Sequence, residues 1–172
     1  MSTWLDELTC PICGSNDCVA AYGPKSSEIL IIDPYPDEFS LQSGMPHKSK
    51  GIDRVLKKEF RFLGVDINRV RITNLWLHPP NKNPDCLAHG FKKAIEECVG
   101  RKYVLLLGAD PVRKFTGMGV EDTCGLWLKS PYLSIPVMSC VNPAQMFYRD
   151  ASVGEIRLAF QKFMKGVANE SN

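Results

Sequence analysis

Four short apolar runs divide the sequence, and each has the length of a β-strand. The runs consist mostly of aliphatic and β-branched residues, and each ends in a polar or turn-forming residue. They cover residues 28–33, 69–74, 103–108 and 135–140. Apolar residues at nearly every position indicate strands that are buried on both faces, which is typical of a parallel sheet covered by helices.

Three further segments space their apolar residues at helical intervals. These segments are residues 51–63, 85–99 and 150–167. The alternation of strands with helices predicts an α/β fold, a three-layer α/β/α sandwich with a four-stranded parallel sheet. The chain has 172 residues, no internal repeat and no long linker, so we expect one domain over residues 1–172.

Polar side chains stand where three of the predicted strands end. Asp33 and Tyr35 come at the end of the first strand, and Asn74 ends the second. Asn142 follows the fourth. Ligands of open parallel sheets bind in the crevice at the carboxyl ends of the strands. We therefore expect Asp33, Asn74 and Asn142 to line one pocket.

The net charge of the chain excludes a nucleic-acid-binding protein whose whole surface is strongly basic. Its 21 Lys and Arg residues and 19 Asp and Glu residues give a net charge of +2, so any contact with nucleic acid must be local. The sequence begins without the pattern of a signal peptide and contains no apolar run of about 18 residues. We expect a monomer in the cytoplasm, without a membrane partner.

Seven cysteines in a reducing compartment indicate metal ligands or buried thiols rather than disulfides. Cys10 and Cys13 form a Cys-x-x-Cys pair, which suits a tetrahedral thiolate site for zinc or an iron–sulphur cluster. Cys18 is one candidate for a third ligand. Cys86 and Cys98 cannot bind the same centre, because twelve helical residues span about 18 Å. We interpret three cysteines as buried thiols: Cys98, Cys124 and Cys140.

Taken in order, these segments resemble the motifs of the uracil-DNA glycosylase superfamily over residues 9–165. Asp33-Pro34-Tyr35 is similar to the Asp-Pro-Tyr of the family 1 enzymes. Four other segments look like those of the iron–sulphur family 4 enzymes: Cys10-x-x-Cys13, Gly44-Met45-Pro46-His47, Ile72-Thr73-Asn74 followed by His78-Pro79-Pro80, and Leu107-Gly108. The resemblance implies a glycosylase that hydrolyses the N-glycosidic bond of uracil, or of a related deaminated base, in DNA.

Such an enzyme flips its target base out of the helix and holds it in a pocket. The resemblance implies that Asp33 orients or activates the attacking water and that Tyr35 blocks the methyl group of thymine. Asn74 would pair with the base edge, because an amide offers both a donor and an acceptor. His47 stands where the family has a stacking Phe, and its ring can also stack on a base.

The segment after the last strand departs from the common pattern. Asn142-Pro143-Ala144 replaces the usual His-Pro-Ser, although the mismatch-specific members of the superfamily also carry an Asn there. Asn142 would donate a hydrogen bond to the departing base, but more weakly than His, so we expect slow turnover. The alternative is a catalytically inactive module that keeps the fold and binds DNA or protein. No Gly-x-Gly-x-x-Gly or Gly-x-x-x-x-Gly-Lys motif supports a nucleotide-binding domain.

Contacts with the DNA partner and with a metal complete the predicted site. Lys48, Lys50 and Arg149 flank the pocket and would contact phosphates. Met146 lies in the segment that wedges into the duplex in the superfamily. Comparison with family 4 gives a metal-ligand set, for a 4Fe-4S cluster or alternatively Zn: Cys10, Cys13, His78 and Cys86.

Overall fold

A five-stranded, mostly parallel sheet forms the centre of the computed structural model, which describes residues 8–46, 50–62, 64–147 and 149–169. The sheet has the strand order β2-β1-β3-β5-β4. Its strands are β1 (Ile29–Asp33), β2 (Arg71–Asn74), β3 (Tyr103–Leu107), β4 (Trp127–Leu128) and β5 (Val137–Cys140). The predicted three-layer α/β/α architecture is confirmed.

The four predicted strands are the parallel members of this sheet. β1 pairs with β2 and β3, and β3 pairs with β5, all in parallel. Nearly every residue of these strands is buried, as their continuous apolar sequence indicates. The prediction of four strands was one short. β4 pairs with β5 in the antiparallel direction, and its two residues are too few to give a periodic pattern.

Within the described part of the chain, six α-helices connect and cover the strands. They are α1 (Glu38–Ser43), α2 (Lys50–Phe62), α3 (Pro84–Cys98), α4 (Ala109–Thr116), α5 (Val120–Thr123) and α6 (Ala151–Asn169). The three predicted helices correspond to α2, α3 and α6, with ends that differ by one or two residues. No helix among the described residues is long and apolar enough to cross a membrane.

Aromatic contacts pair the long helices over the core. Phe60 of α2 packs against Phe160 of α6, with ring centroids 5.4 Å apart. Phe91 of α3 meets Phe115 of α4 edge to face, with centroids 5.0 Å apart. Three of these rings are almost completely buried, and Phe91 nearly so. This packing fixes the helices around the sheet and leaves the carboxyl ends of the strands to the connecting loops.

Candidate functional site

Asp33 and Asn74 lie side by side at the carboxyl edge of the sheet. They are paired in the register of β1 and β2 and are the last residue of each strand. The pairing continues beyond the strands, because the Leu75 N–H donates to the carbonyl oxygen of Asp33 at 2.7 Å. The Trp76 N–H then donates to the carbonyl of Pro34 at 2.9 Å. The loops after β1 and β2 therefore leave the sheet side by side.

Gly108 brings the loop after β5 to the same edge. It has a φ of 89°, and a Cβ there would lie 3.0 Å from Pro34 Cγ and 3.4 Å from Asn142 Cβ. Its N–H donates to the carbonyl of Cys140 at 2.8 Å. A side chain at this position would separate the loops. Gly108 thus allows Pro34 and Asn142 to approach each other, and we name Asp33, Asn74 and Asn142 the strand-end site.

The amide of Asn74 is buried without a hydrogen-bond partner. The residue is 1% exposed, and neither its Nδ2 nor its Oδ1 contacts a partner among the described residues. A buried polar atom without a partner costs about 1–3 kcal/mol, so it usually marks a ligand, an ion or an ordered water. Asn74 is therefore the side chain of the strand-end site that most needs a bound molecule.

The amide oxygen of Asn142 is fixed by a hydrogen bond, and its amide nitrogen is available. Its Oδ1 accepts a hydrogen bond from the Ala144 N–H at 2.9 Å. This bond orients the side chain and assigns the oxygen as the acceptor, which leaves Nδ2 as a donor. Nδ2 lies beside Gly108, 3.6 Å from where a Cβ would stand. The arrangement can donate a hydrogen bond to a negatively charged group at the sheet edge.

Asp33 is a carboxyl group whose surroundings favour the protonated form. The residue is 4% exposed. Burial raises the pKa of Asp33 well above its ordinary value, and the nearby charge of Asp37 raises it further. The sequence predicts an ionised carboxylate at this position, and in the protein alone burial works against that state. Asp37, which the sequence analysis did not identify, caps α1 by accepting from the Ser40 N–H at 2.9 Å.

Besides Asn74, the residues predicted to contact base or backbone whose side chains are described are Tyr35 and Arg149. Tyr35 is 47% exposed, in the loop after β1. Arg149 is exposed and donates to Ser152 Oγ and to the Glu155 carboxylate, so a phosphate would have to compete with Glu155 for it. His47 and Lys48 lie outside the described residues. The same holds for two side chains whose backbones are described: Lys50 and Met146.

The four predicted metal ligands converge, although they come from three separate parts of the chain. The ligand atoms of Cys10, Cys13, His78 and Cys86 all lie within 4.8 Å of one another, and the group could hold a metal ion. Cys10 Sγ is 3.9 Å from Cys86 Sγ. Cys13 Sγ is 3.6 Å from His78 Nε2. We name these four residues the metal-ligand group.

Local structure explains how the metal-ligand group is assembled. The Gly14 N–H donates to the carbonyl of Cys10 at 2.8 Å, which closes the turn that brings Cys10 and Cys13 together. The Val19 N–H donates to the carbonyl of Leu77 at 2.7 Å and ties this segment to the loop after β2. In that loop, His78 Nδ1 lies 2.8 Å from the carbonyl oxygen of Pro79, which turns Nε2 toward the thiols.

The fourth ligand lies in the first turn of α3. Asn83 caps this helix by accepting from the Asp85 N–H at 3.0 Å, and Cys86 follows at once. Burial raises the pKa of Cys86 to about 11. Burial acts to raise the pKa of Cys10, but hydrogen bonds with the backbone of Cys13 and Ile12 and with the side chains of Cys13 and His78 together outweigh it and lower the pKa to about 7.

The other cysteines are free thiols outside this group. Cys18 packs against the group in a small apolar cluster, but its thiol is directed to the carbonyl of Ser15 at 3.9 Å. Burial raises the pKa of Cys18 to about 12. The alternative in which Cys18 is the third ligand is therefore not supported. The prediction of buried thiols is confirmed for Cys98 and Cys140, whereas Cys124 is only half-buried.

A cavity of about 710 Å³ lies beside the metal-ligand group rather than at the strand-end site. Its walls come from the N-terminal segment, the loop after β2 and α3, and they include Val19, Leu77 and His89. Arg71 and Glu97 also line it, but their charges are already paired with each other at 2.8 Å. No residue of the strand-end site lines this cavity.

Neither a protein-family model nor a curated protein sequence matches the chain. The resemblance to the uracil-DNA glycosylases therefore rests on the sequence motifs.

Proposed function

We propose that the protein is a DNA glycosylase that hydrolyses the N-glycosidic bond of uracil, or of a related deaminated base, in DNA. The observation that carries this proposal is the buried amide of Asn74, which has no hydrogen-bond partner among the described residues and stands beside Asp33 at the carboxyl edge of the sheet. An amide at the carboxyl edge of a parallel sheet is suited to reading the edge of a flipped base.

Asn74 would recognise the base. Its Nδ2 can donate to O4 of uracil while its Oδ1 accepts from N3–H, so both orphaned atoms would be satisfied at once. Cytosine presents the opposite pattern at these two positions and would leave both atoms unpaired in this orientation of the amide. Tyr35 would stand against C5 of the base and exclude the methyl group of thymine. Selectivity would then come from one amide and one ring.

Asp33 and Asn142 would act on the bond that breaks. Asp33 would position the attacking water and, once ionised, stabilise the positive charge that develops on the sugar. Asn142 Nδ2 would donate to O2 of the base as negative charge accumulates there, because its Oδ1 is already engaged by Ala144. A neutral amide donates more weakly than the usual His, so we propose a slow enzyme.

The contacts that hold DNA would surround the strand-end site. Lys48, Lys50 and Arg149 would bind phosphates, and Met146 would fill the space that the flipped base leaves. One flipped base needs one pocket, so we propose that the protein acts as a monomer, on the DNA of the nucleoid in the cytoplasm. Arg149 would have to exchange its partner Glu155 for a phosphate.

We also propose that the metal-ligand group holds a resident metal, as a 4Fe-4S cluster of the family 4 kind or as zinc. The metal would join the N-terminal segment to the loop after β2, which begins next to Asn74, and to the start of α3. It would supply stability to this part of the fold, since it lies outside the strand-end site. Loss of the metal should then loosen the segment that carries Asn74.

A second function is a binding module without catalysis. Two observations favour it: Asn142 stands in place of His, and burial raises the pKa of Asp33 away from the ionised form. Such a module would keep the pocket for a flipped base and the backbone contacts. It would bind uracil-containing DNA without releasing the base.

The two functions separate in an incision assay on oligonucleotides that carry one uracil, single-stranded or paired with guanine. A glycosylase produces an abasic site that alkali cleaves, and the matched thymine oligonucleotide should stay intact. Asn74→Asp nearly preserves the size of the side chain but removes the donor to O4, so it should abolish cleavage at uracil or shift it toward cytosine. Tight binding without cleavage by the wild-type protein supports the binding module and contradicts the enzyme.

A further inference from the structure

The spacing of the metal-ligand group tests which metal it fits. In a four-iron cluster each ligand binds a different iron, and the irons and their bridging sulphides stand between the ligands. In a single-ion site, all four ligands bind the same ion and therefore lie closer to one another. The ligand atoms of Cys10, Cys13, His78 and Cys86 lie within 4.8 Å of one another, which leaves room for one ion and not for a cube of irons and sulphides.

The individual distances agree with a tetrahedral zinc site. With Zn–S bonds of about 2.3 Å, two sulphurs on one tetrahedral ion are about 3.8 Å apart. With a Zn–N bond of about 2.0–2.1 Å, a sulphur and a nitrogen are about 3.6 Å apart. The structure has Cys10 Sγ and Cys86 Sγ at 3.9 Å, and Cys13 Sγ and His78 Nε2 at 3.6 Å. Both pairs match one ion at the centre of the group.

We propose that the metal-ligand group binds a single Zn²⁺ ion through three thiolates and one imidazole, and that it does not hold the iron–sulphur cluster that the resemblance implies. A Cys₃His set is a common donor set for structural zinc, and thiolate ligands in a tetrahedron select zinc over hard cations. The contact of His78 Nδ1 with the Pro79 carbonyl is the outer-shell bond that usually fixes a zinc-binding imidazole.

Four protein ligands complete the coordination of the ion, so no position is left for water or substrate. The zinc would therefore be structural. It would connect the turn at Cys10 and Cys13, the loop that carries His78 and the first turn of α3. Burial of three of the four ligands fits this role, since Cys10, His78 and Cys86 are each at most 3% exposed, whereas Cys13 is exposed. The inference does not depend on glycosylase activity, because metal binding is measured without DNA.

The test begins with the metal content of the full-length protein, produced in medium that contains both zinc and iron. We expect about one zinc per chain, no acid-labile sulphide and a colourless protein. Replacement of the zinc by Co²⁺ should produce the visible absorption of a tetrahedral thiolate site. A brown protein with several irons and sulphide per chain, or iron in place of zinc, overturns the proposal.

Two matched cysteine variants locate the ion. Cys86→Ser removes a ligand, and we expect it to lose zinc at least about tenfold more readily to a chelator than the wild type. Cys18→Ser alters a buried cysteine of the same small cluster that lies outside the ligand group, and it should keep one zinc. If Cys86→Ser does not fold, titration of the chelated wild-type protein with Co²⁺ gives the stoichiometry directly. Loss of zinc from Cys18→Ser with retention in Cys86→Ser refutes the assigned ligands.

Discussion

Asp33 and Asn74 stand opposite each other as the last residues of β1 and β2, so that a carboxyl group and an amide leave the sheet at one level. Both side chains are almost completely buried. The two groups would act at different stages of the reaction. Asn74 would contact the base from the moment of binding, whereas the charge of Asp33 would matter as the bond breaks.

Replacement of Asp33 should therefore affect rate far more than binding. We expect Asp33→Asn to bind uracil-containing DNA nearly as well as the wild type and to slow base release by about 10²–10⁴-fold. Burial raises the pKa of Asp33 in the folded state, so its ionisation destabilises the fold as pH rises above about 4, and the variant should be at least as stable at pH 7. Equal losses of affinity and rate would contradict this role.

The rate of base release should increase with pH through the raised pKa of Asp33, since only the ionised form serves the reaction. Burial is the main cause of the raised pKa, and the charge of Asp37 adds to it. Asp37→Asn removes that charge and keeps a good helix cap, so the pH profile should shift partly toward lower pH. Single-turnover rates between pH 4 and 9, roughly the range in which a raised carboxyl titrates, measure the shift. An unchanged profile would refute the coupling.

The ion pair of Arg71 and Glu97 should stabilise the contact between the start of β2 and the end of α3. Arg71 donates two hydrogen bonds to the Glu97 carboxylate, at 2.9 Å and 2.8 Å, and these lower the pKa of Glu97. We expect Glu97→Gln to cost about 1–3 kcal/mol in the free energy of unfolding at pH 7. The stabilisation is present above the unfolded pKa of about 4.3 and is lost as pH falls through the lowered folded pKa, so the difference should vanish in acid.

Glu96 provides the matched control in urea unfolding experiments. It pairs with Lys93 at 3.0 Å, but both side chains are about half exposed, at 49% and 50%. Glu96→Gln should cost less than about 1 kcal/mol. If both variants lose the same free energy of unfolding, burial does not strengthen the ion pair of Arg71 and Glu97.

The approach of α3 to the loop after β2 requires a glycine. A Cβ at Gly90 would lie 2.1 Å from the carbonyl oxygen of Leu75, the residue that follows Asn74. We expect Gly90→Ala to destabilise the protein by about 1–3 kcal/mol and to weaken uracil recognition. In Gly154→Ala, on α6, the added Cβ meets no atom within 4 Å, so thermal unfolding should show a gain of about 0.5–1 kcal/mol. Stabilisation by both substitutions would contradict the close packing.

The periodic pattern identified the long elements and missed the short ones. The strands β1 and β3 are apolar except at Asp33, so the composition of these runs already predicted their burial. α1 and α5 have six and four residues, too few for a helical period. Asn74 and Asn142 were predictable because they stand at or just after the end of a strand. The burial that raises the pKa of Asp33 depends on residues distant in sequence, which no local pattern reveals.

The metal-ligand group shows the same limit. The spacing of Cys10 and Cys13 indicates a site by itself. His78 and Cys86 are implied by the resemblance alone, since no local rule joins residues so far apart in the chain. Only the three-dimensional structure distinguishes Cys18 from His78 as the third ligand, because it shows the Cys18 thiol directed to a backbone carbonyl.

Release of free uracil under single-turnover conditions, compared between the wild type and Asn142→His, tests the central claim most directly. The protein is used with its metal bound, in excess over a single-stranded or a duplex oligonucleotide, and at a pH where Asp33 is ionised. We expect slow but measurable release by the wild type and an increase of up to about 10²–10³-fold in the variant, which restores a stronger donor to the leaving base. Absence of free uracil with both proteins would contradict the glycosylase function.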